Sequence, residues 1–250
     1  SVGCFQLPLI AMLYESVGAV MIPRMSQMQD EGKKREMLEM TVSATQRLTF
    51  FYFPLFAFLM IVASEFITTL FTKEYSASAS IFRVNLLALP LFSLVVDPIT
   101  RAYPTAGRFL LKVRVGICLV LFAIFWYGIG RFGLIAMISI VVGAILFEKL
   151  MSAWISGRML EVKAADIGLL RTVGKTAVAA AIAGGLLLGF YFLTAERLMA
   201  ACVNISSRLL AAADLGKGAD FVGGGIFLGI CLVVYAVPYL LAANWLGVIE

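Results

Sequence analysis

The 250 residues are 62% hydrophobic and only 14% charged, with a mean hydropathy of +0.98, which excludes an ordinary soluble domain. The formal net charge is +5, but the cations fall mainly between apolar runs, so they read as topology signals and no nucleic acid is expected as a partner. Histidine is absent and Cys4, Cys118, Cys202 and Cys231 have no ligand-like spacing, so no metal, cofactor or disulfide framework is expected.

Apolar runs of about 20 residues, long enough to cross roughly 30 Å of hydrocarbon as helix, recur along nearly the whole chain. A signal peptide would not repeat in this way, and the alternation of a transmembrane strand is missing. The expected fold is therefore all-α and polytopic, with about seven transmembrane helices. The spans are 4–22, 48–71, 79–100, 109–130, 132–155, 173–194 and 222–246.

The first span carries Glu15 near its middle, seven residues after Pro8, and is followed by PRMSQMQDEGKKREM, residues 23–37, read as a charged loop. The second opens on FFYFPLF at 50–56, an aromatic boundary cluster in which Pro54 is the expected kink. The third is the least apolar, with Arg83, Asn85, Pro90, Asp97 and Pro98. Glu148 and Lys149, in the fifth, lie one to two turns from the flank marked by Arg158 and read as solvated or paired with other helices. Gly184, Gly185 and Gly189 in the sixth span, and Gly223 to Gly225 with Gly229 in the seventh, are expected to permit close helix packing. Between these two spans, Leu198, Cys202, Ile205 and Leu209 fall at helical spacing, with Arg197, Asn204 and Arg208 on another face. An amphipathic outer segment at 196–220 is expected there, with a separate helix over 197–213 lying in the interface or capping the bundle.

Thirteen Lys and Arg follow the first, third and fifth spans, and five follow the second, fourth and sixth. The asymmetry predicts an extracytoplasmic start and a cytoplasmic end, and makes 23–37 a cytoplasmic segment.

A charge inside the hydrocarbon costs roughly 2.5 to 3.5 kcal/mol on insertion scales, so each needs a partner, water or a short path to the interface. Arg83, Pro90 and Asp97 are spaced seven apart, which on one continuous helix keeps them within about 40° of a common face. One reading makes this stripe a cavity wall, with Arg83 holding an anionic group and Pro90 letting the helix bend. The other lets Arg83 and Asp97 snorkel to opposite interfaces. Glu15, harder to snorkel, is read either as a protonatable transport residue, a partner for Arg83, or as half of a structural pair.

The ordered stretches SVGCFQLPLIAMLYESVGAVMIPRMSQMQDEGKKREM, LFTKEYSASASIFRVNLLAL, AYPTAGRFLLKVRVGI and GIGRFGLIAMISIVVGAILFEKLMSAWISGRML resemble the second half of a polysaccharide flippase. The family is the O-antigen type within the multidrug/oligosaccharidyl-lipid/polysaccharide exporter superfamily. The resemblance covers about residues 1–160; beyond that only hydropathy supports it. It implies that 1–157 are five helices of a second bundle and 158–250 two additional helices, with the first bundle of the same polypeptide missing. The chain opens on SVGCF rather than methionine, and a fragment or processed product is expected.

The same resemblance implies transport of an undecaprenyl-diphosphate-linked oligosaccharide from the cytoplasmic to the outer leaflet of a bacterial inner membrane, with the lipid bilayer as surroundings. Arg83, Glu15 and Asp97 are then the expected cavity residues. A cation-coupled drug or metabolite exporter of the same superfamily stays open, although Arg83 argues against it. An intramembrane polymerase or glycosyltransferase is disfavoured, since the longer loops carry neither a DxD pair nor a histidine.

Overall fold

The computed structural model describes residues 8–128, 130–211 and 218–248. The described residues are helical with short connections: α1 Pro8–Asp30, α2 Lys34–Phe71, α3 Ser78–Leu86, α4 Leu89–Phe92, α5 Asp97–Ala102, α6 Pro104–Gly128, α7 Leu134–Met159, α8 Arg171–Ala211 and α9 Ala219–Trp245. Among them, α2, α6, α7, α8 and α9 are long and apolar enough to cross a membrane. Of the other two expected spans, the first falls largely in α1, but its opening residues, 4–7, lie outside the described residues.

The expected third span is not one helix but three short ones. Proline explains the first break. Pro90 has no N–H to donate to the carbonyl four residues back, and its ring crowds that carbonyl; four residues back is Leu86, where α3 ends. Pro98 stands in the first turn of α5, where its missing donor costs nothing. Side chains take up the interrupted backbone: Ser93 Oγ donates to the Pro90 carbonyl at 2.7 Å, and Val95 N–H donates to Thr45 Oγ1 at 3.4 Å. The seven-residue spacing of Arg83, Pro90 and Asp97 therefore does not place them on one helix face. Pro54, in contrast, is accommodated within α2, and the departure from helical dihedrals comes at Val62.

Two compact units interleave along the chain, one made of Gln6–Tyr52 and Leu87–Gly174, the other chiefly of Phe53–Leu86 and Lys175–Glu250. In the first unit, α5 is the hub, packing against α1, α6 and α7. Its Pro98, Ile99, Thr100 and Ala102 are all buried. Tyr52, fully buried, donates its hydroxyl to the Ile10 carbonyl at 2.8 Å.

The stretch 23–37 is mostly helix rather than loop: α1 continues to Asp30 and α2 starts at Lys34. Gly32, at φ 70°, sits between them. Gly32 N–H reaches the Gln29 carbonyl at 3.1 Å and Lys33 N–H the Met28 carbonyl at 2.9 Å, the paired bonds of a Schellman stop, for which the left-handed residue is best a glycine. Outside the apolar segments, Lys34 pairs with Glu161 at 2.5 Å and Arg35 pairs with Asp166.

These pairs have a pH signature. The hydrogen bond from Lys34 holds the Glu161 carboxyl below its ordinary 4.5, and the Lys163 backbone N–H followed by Arg35 holds Asp166 below 3.8. Both values are depressed in the fold, so their contribution is full above the ordinary carboxylate range and is lost as pH falls through the folded values. We expect amide exchange at residues 157–166, corrected for intrinsic rate, to accelerate relative to α6 below about pH 4. Equal exchange profiles in the two regions down to pH ~3 would show that the pairs hold nothing.

In the second unit, α9 buries Phe227, Cys231, Tyr235 and Tyr239, a four-residue spacing that makes one apolar stripe. Facing residues of α8 are small: Ala179, Ala180 and Ala183 are buried, and Tyr235 donates to the Ala180 carbonyl at 3.4 Å. The expected amphipathic segment at 196–220, with its separate helix, is a continuation of α8 as far as Ala211; residues 212–217 lie outside the described residues, and 218–220 lead into α9. No helix breaker interrupts the chain between Gly189 and Ala211, so the helix runs on.

Candidate functional site

The polar centre of the first unit is Asp97, the first residue of α5. Its Oδ2 accepts from Lys149 Nζ of α7 at 3.0 Å and from the Tyr14 hydroxyl of α1. Lys149 is only 8% exposed. Its Nζ also lies 3.3 Å from the Tyr14 oxygen, and 5.1 and 5.5 Å from the ring centroids of Tyr14 and Phe92, so two aromatic faces complete the cation's surroundings. Arg114 of α6 links a fourth helix, with Nε donating to Glu148 Oε1 at 2.7 Å and Nη2 lying 3.9 Å from Asp97 Oδ1. Two cations and two carboxylates balance, which is how ionised groups persist in an apolar bundle.

Beside this network opens a cavity of about 500 Å³, bordered by Asp97, Arg101, Gly107, Arg108, Leu111 and Arg114. Two of its guanidiniums, those of Arg101 and Arg108, are exposed and make no ion pair among the described residues.

The second unit has its own polar group. Tyr191 of α8 donates to Glu65 Oε1 of α2 at 2.5 Å, while Glu65 Oε2 is buried with no hydrogen-bond partner among the described residues. Arg83 of α3 is half-buried, donates from Nε to the Met60 carbonyl at 3.3 Å, and lies within electrostatic reach of Tyr191.

The sequence-predicted residues thus separate. Asp97 is the anchor of the network in one unit; Arg83 stands with Glu65 and Tyr191 in the other. Glu15 is exposed on α1 and forms no ion pair among the described residues; it is its neighbour Tyr14 that turns inward. Pro90 lies inside one-turn α4, between two interruptions. Of the two readings for Glu148 and Lys149, pairing with other helices is the one observed. Glu65 was missed, although it is the only charged residue between 48 and 71, and the rule that singled out Glu15 applies to it equally. Tyr14 and Tyr191 carry no comparable signal, since tyrosine is common in membrane helices for packing alone.

Residues 3–80 match the family described as polysaccharide biosynthesis protein. The match covers α1, α2 and the start of α3, roughly a third of the chain, and supports a flippase-type family and a role in polysaccharide synthesis or export. No curated protein and no solved structure matches the chain.

Proposed function

We propose that this chain is the second-bundle part of a transporter that carries a lipid-linked oligosaccharide, of the undecaprenyl-diphosphate type, from the cytoplasmic to the outer leaflet by alternating access. The observation that carries the reading is the family match over residues 3–80 in a chain with five candidate membrane spans. The reading takes residues 1–157 as second-bundle helices and 158–250 as additional ones, in a bacterial inner membrane, with the start of the chain outside and its end cytoplasmic. Alternating access works by rocking two opposed bundles about a shared site, so the partner is a first bundle of the same polypeptide.

In this scheme Arg83 meets the diphosphate or an acidic sugar, because a planar guanidinium binds phosphate oxygens in pairs. Asp97 holds the helices around it in register, Glu15 borders the route, and the interruptions around Pro90 supply the bend. A cation-coupled exporter of the same superfamily gains one specific observation, the half-satisfied carboxylate of Glu65.

The test is complementation of glycan export in cells lacking their own flippase, using the complete polypeptide. Arg83→Ala is expected to lower export about tenfold at unchanged membrane abundance, the ~1.4 kcal/mol of a lost charge-assisted contact, and Arg83→Lys to recover part of it. Undiminished export by Arg83→Ala would remove Arg83 from the route, and drug efflux without glycan export would favour the cation-coupled reading.

A further inference from the structure

The arginine-lined cavity and a second, apolar groove meet on α6. The groove, of about 460 Å³, runs between α6 and α7 and is walled by Gly116, Ile117 and Leu121 with Ala144, Phe147 and Met151. Arg114, Ile117, Leu121 and Ile124 fall at i, i+3, i+7 and i+10, one stripe on the helix, so Arg114 stands where the cavity ends and the groove begins. From Val113 to Ile124 the groove covers about 16 Å of helix, roughly half of a 30 Å hydrocarbon core. That is the depth of one leaflet.

From Val115 to Gly128 no residue is charged, so Lys112 and Arg114 mark the level at which polar sequence gives way to hydrocarbon. Val120 of α6 and Phe147 of α7 both line the groove and are 59% and 52% exposed, so the groove opens toward the bilayer. The charge at its head is not cancelled. Asp97 borders the cavity but is met by Lys149 at 3.0 Å, and Arg114 is met by Glu148 at 2.7 Å; the guanidiniums of Arg101 and Arg108 are left to face an outside anion.

We infer that α5, α6 and α7 form a binding site for an anionic phospholipid of the surrounding leaflet, its phosphate at Arg101 and Arg108 and one acyl chain in the α6–α7 groove. A basic pocket at the end of membrane helices is the chemistry that recognises such a headgroup, and the adjoining groove sets the lipid apart from a free anion. The inference goes beyond the transport reading and does not depend on it.

The experiment measures lipid binding to the full-length chain in detergent by native mass spectrometry. Probes are dioleoyl phosphatidylglycerol, dioleoyl phosphatidylcholine and inorganic phosphate. The anionic lipid is expected to bind at least about tenfold more tightly than the zwitterionic one, and phosphate at matched concentration not to displace it. Arg101→Gln with Arg108→Gln should bring the two lipids level. Gly116→Phe, placed where an added Cβ meets nothing within 4 Å, should weaken both by filling the groove. All variants should keep the parental thermal midpoint, since Arg101, Arg108 and Gly116 are all exposed. Equal affinity for the two lipids in the unsubstituted chain, or selectivity unaltered by the arginine changes, overturns the headgroup site. Displacement by phosphate, or binding unaffected by Gly116→Phe, overturns the groove.

Discussion

Lys149→Met lowers the free energy of unfolding in detergent by about 3 kcal/mol, most of it because of what stays behind. The substitution keeps the length and apolar stem of the side chain, so little packing is lost. It strips Asp97 of its contact at 3.0 Å, leaving the Tyr14 hydroxyl and a guanidinium 3.9 Å away. Breaking one side of a buried pair typically costs about 3 to 5 kcal/mol, because the survivor remains a charge out of water. Here the lower end applies, since the Asp97 side chain is 22% exposed and keeps Arg114 nearby. Asp97→Asn in the same background should return at least half of the loss, because an amide needs no counter-charge and still accepts from Tyr14. Tyr14→Phe alone should cost about 1 kcal/mol, one hydrogen bond to a charged group shared with other donors. Thermal or denaturant unfolding of the four chains settles the cycle. If Asp97→Asn added its own full cost to Lys149→Met, the two residues would be independent and the network reading would fall.

That network shows what was legible in the sequence and what was not. Hydropathy is a sum over about 20 residues and tolerates local error, so α2, α6, α7, α8 and α9 stand close to the expected spans. The charge rule singled out Asp97, which the structure pairs with Lys149, and the pairing of Glu148 and Lys149 with other helices, because a charge must be answered wherever the chain puts it. Which group answers it is a tertiary fact: Tyr14, Asp97 and Lys149 are separated by 83 and 52 residues, and no local pattern links them. The predicted stripe of Arg83, Pro90 and Asp97 failed for a local reason. It assumed one helix through Pro90, although a proline in a helix interior denies the carbonyl four residues back its bond and clashes with it. The interruption sets Arg83 beside Tyr191 and Asp97 beside Lys149, in different units. The long α8 was misjudged the other way, by splitting an amphipathic stretch from an apolar one where the backbone has no cause to stop.

Glycine was legible only as a class. Four glycines of α9 were expected to allow close packing, and the structure distinguishes among them. A Cβ at Gly225 or Gly229 meets nothing within 4 Å, whereas one at Gly223 lies 2.9 Å from Val203 Cα, and one at Gly224 collides with the Thr69 hydroxyl and lies 2.8 Å from Thr69 Cγ2 and 3.0 Å from Thr69 Cβ. Alanine in an open helical position should gain up to about 1 kcal/mol relative to glycine. Gly225→Ala is therefore expected to be neutral or stabilising. Gly224→Ala should cost about 2 kcal/mol net, since overpacking typically costs about 1 to 3 kcal/mol. Threonine cannot turn fully out of the way: with two heavy atoms on Cβ, every χ1 rotamer leaves its hydroxyl or its methyl toward Gly224, and its Cβ stays where it is. Gly223→Ala should cost at least as much, because the obstructing atom is backbone of α8, and relief requires the helices to separate along the buried Phe227, Cys231 and Tyr235 stripe. Thr69→Ala combined with Gly224→Ala removes both the hydroxyl and the methyl and should restore part of the stability, while leaving Gly223→Ala unrelieved. The thermal midpoints of these chains give the order directly. Gly224→Ala matching Gly225→Ala would mean that α9 does not approach α2 as closely as these contacts require.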